Sequence, residues 1–318
     1  MNTLPSSLRV GVIRGGSSPD YNTSLQSGSN ILKHLSEHNN LIDIFISKDG
    51  KWHMKGVERS PERILKHVDV IFNALCGPYS EDSEIQEILN YHKIPYTSSE
   101  KYISTITTNK WLMKEHVKRF GLKTPTGGII YDDDLLTEKA KYIFNSTMHP
   151  LIVKPTIGRS SKDIYTVSSF SDLISIIKDL LTNHVSVLIE EYINGKEATG
   201  IVIDNFRGQS TYILPTIETI YSKENEYDGK ICPGNFSQNE KKEIEKLSSI
   251  IHRNLGLRHY SQSNFIVSPR RGIYFLEVST LPIMTDDSSL SISLQSVGIG
   301  MKEFLHHVIS LVVNTSQF

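Results

Sequence analysis

The opening of the chain alternates strand-like and helix-like segments, and this alternation constrains the fold more tightly than any other feature. Leu8–Ile13, Leu41–Ile46 and Asp69–Leu75 are short apolar runs rich in β-branched residues. After the first, an Arg14-Gly15-Gly16-Ser17-Ser18 turn leads into a helical pattern from Ser24 to Ser36. A strand, a glycine turn and a helix form one α/β unit, and such units stack into a sheet with helices on both faces. Glu84–Tyr91 adds apolar residues at helical spacing after the polar Ser80–Ser83 turn. Residues 1–100 therefore read as a doubly wound α/β domain with loops at its strand ends.

The pattern then becomes mixed α+β. Ser104–Arg119 reads as a helix, and Leu122–Thr126 leads into a strand. Leu151–Pro155 is a strand that enters the polar loop Thr156–Asp163. Phe170–Leu181 is an amphipathic helix introduced by Ser171 and Asp172, and Val187–Ile193 is the next strand. These segments make a smaller unit over 101–190. Over 191–318, strands at Ala198–Asp204, Ser210–Ile217, Gln262–Val267 and Ile273–Val278 alternate with helices at Asn239–Leu255 and Met301–Val313. At roughly 100–200 residues per domain, 318 residues accommodate two or three such units.

Charge and cysteine content exclude several classes of function. With 34 Lys+Arg against 35 Asp+Glu the formal charge is −1, which gives no broad basic field for nucleic acid or an anionic membrane. Neither partner is expected. Apolar runs such as Val10–Ile13 and Val68–Leu75 are far shorter than the ~20 residues a membrane span needs. The start, MNTLPSSLRVGVI, lacks the basic and apolar regions of a secretory signal, so a cytoplasmic location is expected. Cys76 and Cys232 have neither disulfide-framework nor metal-site spacing, and both are expected to be reduced.

Gly15-Gly16 lacks the full GxGxxG spacing, and no acidic residue ends the second strand where a dinucleotide ribose would need it. A dinucleotide-dependent dehydrogenase is disfavoured. A plain turn and a ligand cradle both remain open for these glycines.

Eight segments, in order and over almost the whole chain, resemble the D-alanine–D-alanine ligase family of the ATP-grasp superfamily. They are RGGSSPDYNTSLQSG at 14–28, NALCGPYSEDSEIQEIL at 73–89, IPYTSS at 94–99, TTNKWLMK at 107–114, LIVKPTIGRSS at 151–161, VLIEEYINGKEAT at 187–199, ICPGNF at 231–236 and FLEVSTLPIMTDDSS at 275–289. The resemblance implies an ATP-grasp fold: a pre-ATP-grasp α/β domain (1–100), a small lobe (101–190) and a C-terminal catalytic lobe (191–318), with ATP held between the lobes. It also implies an ATP-dependent ligase of peptidoglycan biosynthesis that activates one D-alanine as an acyl phosphate. Members are commonly homodimers through the N-terminal domain.

Phosphoryl transfer needs cations on the phosphates and donors around their oxygens. By resemblance, Lys110 and Lys154 are the phosphate lysines. Ser160 and Ser161 donate from the flexible triphosphate cover, where Gly158 permits close approach. Glu190 accepts from the adenine amino group, the backbone at Glu191 and Ile193 meets the ring edge, and Glu197 holds the ribose. Read from the residues alone, the lysines fit a solvated surface and the paired acids a solvated strand end.

The catalytic positions depart from the family. Its magnesium ligands, an Asp, a Glu and an Asn, align with Asn264, Glu277 and Ser279, so one carboxylate survives and metal binding should weaken. Its charge-neutralising arginine aligns with Gln262, which can donate a hydrogen bond but brings no charge. The glutamate that receives the first substrate's ammonium aligns with Asn22, a histidine with Cys76, and a product-side glycine with Ile283. Ser24 and Ser288 match positions near the substrate carboxylates, and in polar loops they equally fit caps or turns. In the shortened lid at 220–236, Tyr227 falls on the family's lid tyrosine and Glu226 on its lysine, with Lys223 and Lys230 as substitutes. Gln262, Ser160 and Tyr227 are thus the catalytic candidates. Two functional readings follow: a ligase with amino-acid substrates, altered or slow, and a nucleotide-binding pseudoenzyme that senses or interacts. A scaffold that binds neither ATP nor metal has no positive feature in its favour.

Overall fold

A computed structural model describes residues 4–77, 84–158, 163–221 and 227–315. Backbone contacts divide the chain into two units, each discontinuous in sequence: residues 1–105, 198–263 and 278–318 form the larger, and 106–197 with 264–277 the smaller.

In the larger unit, β1 (Val10–Gly15), β2 (Leu41–Ile46), β3 (Trp52–Met54), β4 (Val57–Glu58) and β5 (Val70–Asn73) form a sheet of order β4-β3-β2-β1-β5. β1 runs parallel to β2 and β5, whereas β3 pairs antiparallel with β2, and β4 antiparallel with β3 at the sheet's edge. β1 and β5 are buried almost throughout, which explains their apolar runs, while β2 leaves Asp43 exposed. Val10, Val12 and Phe72 face one core, and Ile13, Ile44 and Ile71 face another. Strands of two and three residues carry too little periodicity to be read from sequence, so β3 and β4 escape it.

Helices α1 (Tyr21–His34), α2 (Pro61–Leu65), α3 (Glu84–Tyr91) and α4 (Lys101–Thr108) accompany this sheet. Gly15 has φ +97°, and a Cβ there would lie 2.1 Å from the Ile46 carbonyl oxygen. That close approach lets the Gly16 N–H donate to Ile46 O at 2.8 Å. The Ser24 hydroxyl accepts from Gly15 N–H at 2.8 Å and donates to Ala74 O at 3.0 Å, joining the ends of β1 and β5 to α1.

A second sheet has the order β12-β11-β10-β13-β14, with β10 Lys196–Phe206, β11 Gln209–Tyr221, β12 Tyr227–Ile231, β13 Tyr260–Ser268 and β14 Gly272–Ser279. In this part of the chain the helices of the smaller unit are α5 (Lys110–Lys118), α6 (Leu136–Ser146) and α7 (Phe170–Leu181), and those of the larger are α8 (Gln238–Asn254), α9 (Ser289–Ser296) and α10 (Met301–Thr315). Ser237 and Glu240 close a capping box on α8. Leu290, Leu294, Phe304, Leu305, Val308 and Ile309 of α9 and α10 are all buried in the larger unit's core. Among the described residues no single helix is long and apolar enough to cross a membrane.

The smaller unit carries an antiparallel sheet of order β6-β9-β7-β8, with β6 Gly127–Tyr131, β7 Leu151–Pro155, β8 Tyr165–Val167 and β9 Ser186–Glu191. Ile130, Ile143, Val153, Leu173, Ile177 and Ile189 make its core with α6 and α7. The helix expected over Ser104–Arg119 is broken at Asn109. Its backbone is extended (φ −89°, ψ 106°), and its side chain accepts from the N–H groups of Trp111 and Leu112. The break turns Lys110 back towards the sheet. Helix α7 is capped by Ser169, which accepts from Asp172 N–H, rather than by Ser171 or Asp172.

Substituting Gly15→Ala should destabilise the protein by about 2 kcal/mol or more, from left-handed backbone strain plus the contact with Ile46. The midpoint of urea unfolding measures it, and an unchanged midpoint would contradict the assigned close approach.

Candidate functional site

The smaller unit concentrates the charged residues singled out by the sequence. Lys154 on β7 and Glu190 on β9 come from adjacent strands, with Ile152 paired to Glu190 and Lys154 to Leu188. Lys154 Nζ lies 2.9 Å from Glu190 Oε2, and Lys114 of α5 donates to Glu190 Oε1. Side-chain exposure is 2% for Lys114, 3% for Glu190 and 12% for Lys154. One buried carboxylate on β9 thus joins an ammonium group from β7 and another from α5.

The electrostatics follow from that arrangement. Burial alone would raise the Glu190 carboxyl, but the charges of Lys114 and Lys154 outweigh it and hold the group down at about 2. Burial pulls the Lys114 ammonium down to about 7, assisted by the like charge of Lys154 and opposed by Glu190. Lys154 also loses solvation, yet the attraction of Glu190 raises it. Lys114 belongs to the TTNKWLMK segment but was not singled out from sequence. Its four-residue offset from Lys110 gave the available signal: the two side chains project from neighbouring turns of one helix.

Lys110 N–H donates to Thr156 O at 2.9 Å, and its ammonium donates to the Gly158 carbonyl. An isolated bridge between Asn109 and Ile157 fixes this register. A cavity of about 90 Å³ is lined by Lys110, Lys154, Gly158, Asp163, His184 and Glu277 among others. The two expected phosphate lysines and the surviving carboxylate therefore share one cavity. Ser160 and Ser161 lie outside the described residues, as do Lys223 and Glu226. A larger cavity, about 730 Å³, lies in the other unit against Lys93, Tyr96, Glu100, Tyr102 and Arg258. Volume and phosphate-binding chemistry do not coincide in this molecule.

Glu190, expected to face an adenine amino group, has each oxygen engaged by a lysine. The neighbouring Glu191 carboxylate is also internal: it accepts from Thr126 N–H at 3.0 Å and from Arg271 Nη1 at 2.6 Å. These bonds outweigh burial and lower its pKa. Glu191 N–H donates to Thr126 O, so its backbone would reach a ring edge through its carbonyl. Ile193 is buried, and Glu197 is half-buried at the start of β10. Thr126 and Arg271 gave no motif in the sequence, because their partner is set by strand register and hairpin position.

Alternation puts Gln262 and Asn264 on one half-buried face of β13, and Glu277 and Ser279 on one half-buried face of β14. Asn264 Nδ2 donates to Glu277 Oε1 at 3.1 Å. The ligand set expected for magnesium therefore offers one carboxylate, one neutral amide already bonded to it, and one hydroxyl. Among the described residues no cluster of three or more His, Cys, Asp or Glu side chains is arranged for a metal. These residues do not fit a resident divalent cation with the two-carboxylate set of the family.

The remaining candidates lie in the larger unit. Ser24 is fully buried in the bonds given above. Ser288 caps α9 by accepting from Ser291 N–H. Asn22 is exposed in the first turn of α1. Tyr227 is exposed at the start of β12, with Lys230 Nζ 5.8 Å above its ring and donating to Asp287 O at 3.3 Å. Neither Cys76 nor Cys232 takes part in a disulfide.

Replacing Glu190→Gln should destabilise the protein by about 3–5 kcal/mol, because two buried ammoniums lose their counter-charge. The folded-state pKa of Glu190 is lowered, so its contribution is present above about 4.5 and lost as pH falls towards about 2. Denaturant titrations across that window should show a shallower acid slope for the variant; equal slopes would contradict the assignment.

Residues 117–310 match the family model described as D-ala D-ala ligase C-terminus. A D-alanine–D-alanine ligase from Fervidobacterium nodosum is 31% identical, covering 94% of this chain and 97% of its own. The solved D-alanine–D-alanine ligase of Coxiella burnetii superposes with TM-score 0.86 at 19% identity, covering 98% of this chain and 96% of its own. That of Bacillus anthracis, solved with ATP, gives 0.79 at 25%, covering 98% and 99%. With its ATP-grasp fold, the chain belongs to the D-alanine–D-alanine ligase family.

Proposed function

We propose that this chain uses ATP to join two amino acids, D-alanine foremost, through an acyl phosphate. The observation that carries the reading is the common cavity of Lys110, Lys154 and Glu277, within a chain of ligase relatives. In the first step a substrate carboxylate oxygen attacks the γ-phosphorus and the bond to ADP breaks. In the second, the amine of another amino acid attacks the acyl carbon, phosphate leaves, and the amine loses a proton.

We assign the residues the following roles. Lys110 and Lys154 neutralise phosphate oxygens, Glu190 anchors Lys154, and Ser160 and Ser161 donate from the covering loop. Glu191 and Ile193 present backbone to the adenine edge, and Glu197 takes the ribose. Gln262 donates to the oxygen that gains charge at the acyl centre, and Tyr227 closes over the site. Asn22 serves the first ammonium, with Ser24 and Ser288 shaping the surroundings of the carboxylates. Magnesium would supply further neutralisation of the phosphates, and Glu277, with Asn264 and Ser279, would hold it weakly for want of the family's second carboxylate. We further read the protein as cytoplasmic and homodimeric through its N-terminal domain, with the segments 1–100, 101–190 and 191–318 as its domains and with neither nucleic acid nor membrane as a partner.

The second reading, a nucleotide-binding pseudoenzyme, is favoured by the joint replacement of the family's Arg and Asp by Gln262 and Asn264. Loss of one oxyanion donor typically costs about a hundredfold to a thousandfold in rate. ADP release with a panel of D- and L-amino acids separates the readings. The ligase reading predicts D-alanine-dependent turnover that falls at least a hundredfold in Lys154→Met. The double replacement Gln262→Arg with Asn264→Asp should raise turnover tenfold or more. ATP binding with no amino-acid-dependent turnover, before and after that replacement, would favour the pseudoenzyme.

A further inference from the structure

Strand β13 is entered through a strained turn. His259, just before it, has φ +66°, a left-handed conformation that a residue other than glycine keeps only when its surroundings fix it. Tyr260 N–H donates to Arg258 O at 2.8 Å across it, closing a three-residue turn. Asp204 on the neighbouring strand β10 fixes this turn twice. Its carboxylate accepts from His259 N–H at 2.6 Å, and its own N–H donates to His259 O at 2.9 Å. The His259 ring adds a third hold, with Nδ1 accepting from Ser98 N–H at 3.2 Å. Burial pushes that imidazole down to about 4, which keeps Nδ1 available as an acceptor.

The same carboxylate reaches β13 a second time. Asp204 Oδ1 lies 3.0 Å from Nε2 of His252 on α8, and His252 Nδ1 lies 2.7 Å from the Ser261 hydroxyl. Burial would raise the Asp204 carboxyl, but the bonds from His252 and His259 outweigh it and lower it. An ionised carboxylate only accepts, so Nε2–H donates to Asp204, which leaves Nδ1 to accept from Ser261. His307 on α10 donates to Asp204 O at 2.7 Å and ties β10 to that helix. Asp, His and Ser in this order resemble an activated nucleophile, but Ser261 is fully buried, out of reach of a substrate. The network acts on the strand instead. Ser261 immediately precedes Gln262, and alternation sends the two side chains to opposite faces of β13. Anchoring His259 and Ser261 thus fixes where the Gln262 amide stands.

We propose that Asp204, His252 and Ser261 are positioning residues that set the Gln262 amide at the reacting acyl centre. The inference rests on the ligase reading above.

Steady-state ADP release with ATP and D-alanine tests it. Asp204→Ala should lower kcat about tenfold or more and leave both KM values within about threefold, because a donor to developing charge contributes in the transition state. Asp204→Asn should stay within about threefold of wild type: its oxygen accepts from His259 N–H, its NH₂ donates to His252 Nε2, and the ring then donates from Nδ1 to Ser261. In a Gln262→Ala background, Asp204→Ala should cost less than about twofold more, since the group it positions is gone. Circular dichroism establishes folding. If Asp204→Ala is unfolded, Ser261→Ala takes its place with an expected loss of about threefold, and if Gln262→Ala is too slow to measure, the asparagine rescue decides. Wild-type kcat in the folded alanine variant, a loss carried by KM, no rescue by asparagine, or the same loss with and without Gln262 overturns this inference alone. Absence of D-alanine-dependent turnover in the wild type overturns the ligase reading and this inference with it.

Discussion

A buried carboxylate held between two ammonium groups is the interaction on which the candidate site depends. Glu190 on β9 has Lys114 on one oxygen and Lys154 on the other. None of the three could be buried as a lone charge without a penalty of several kcal/mol. Together they join α5, β7 and β9 and hold the Lys154 ammonium at the edge of the cavity that also contains Lys110 and Glu277. Such a network contributes less to net stability than an apolar packing of equal volume. Its value lies in fixing where one positive charge stands.

Much of the framework was legible in the residues. β1 and β5 declared themselves as short apolar runs, since burial on both faces leaves little polar alternation, and β2 keeps its apolar residues around an exposed Asp43. Asn109 shows what was not legible. Its neighbours keep a helical apolar spacing through Arg119, yet a side chain that satisfies two backbone N–H groups stops one helix and starts another. The serine-rich α9 presented the opposite difficulty, because it is held by a Ser288 cap and by buried Leu290 and Leu294 rather than by a long apolar stripe. The roles of Lys114 and Arg271 depend on strand register and burial, which are long-range facts that no local spacing encodes.

The same distinction separates the two halves of the candidate site. Lys110, Lys154 and Glu277 line one cavity, whereas Ser24 and Ser288 carry backbone contacts that the fold itself uses. A serine matched to a substrate position can thus be retained for the turn or helix it supports. Replacement of charged groups by Gln262 and Asn264 removes one positive and one negative charge, a change that the fold tolerates more easily than the loss of either alone. A family scaffold can accordingly persist while its chemistry is retuned.

The most direct measurement of the central claim is a double-mutant stability cycle on Lys114→Met and Glu190→Gln. If the two side chains form one charge network with Lys154, the double variant should be at least about 1 kcal/mol more stable than the sum of the single losses implies. Additivity within about 0.3 kcal/mol would mean that the lysine and the carboxylate act independently, and would contradict the account.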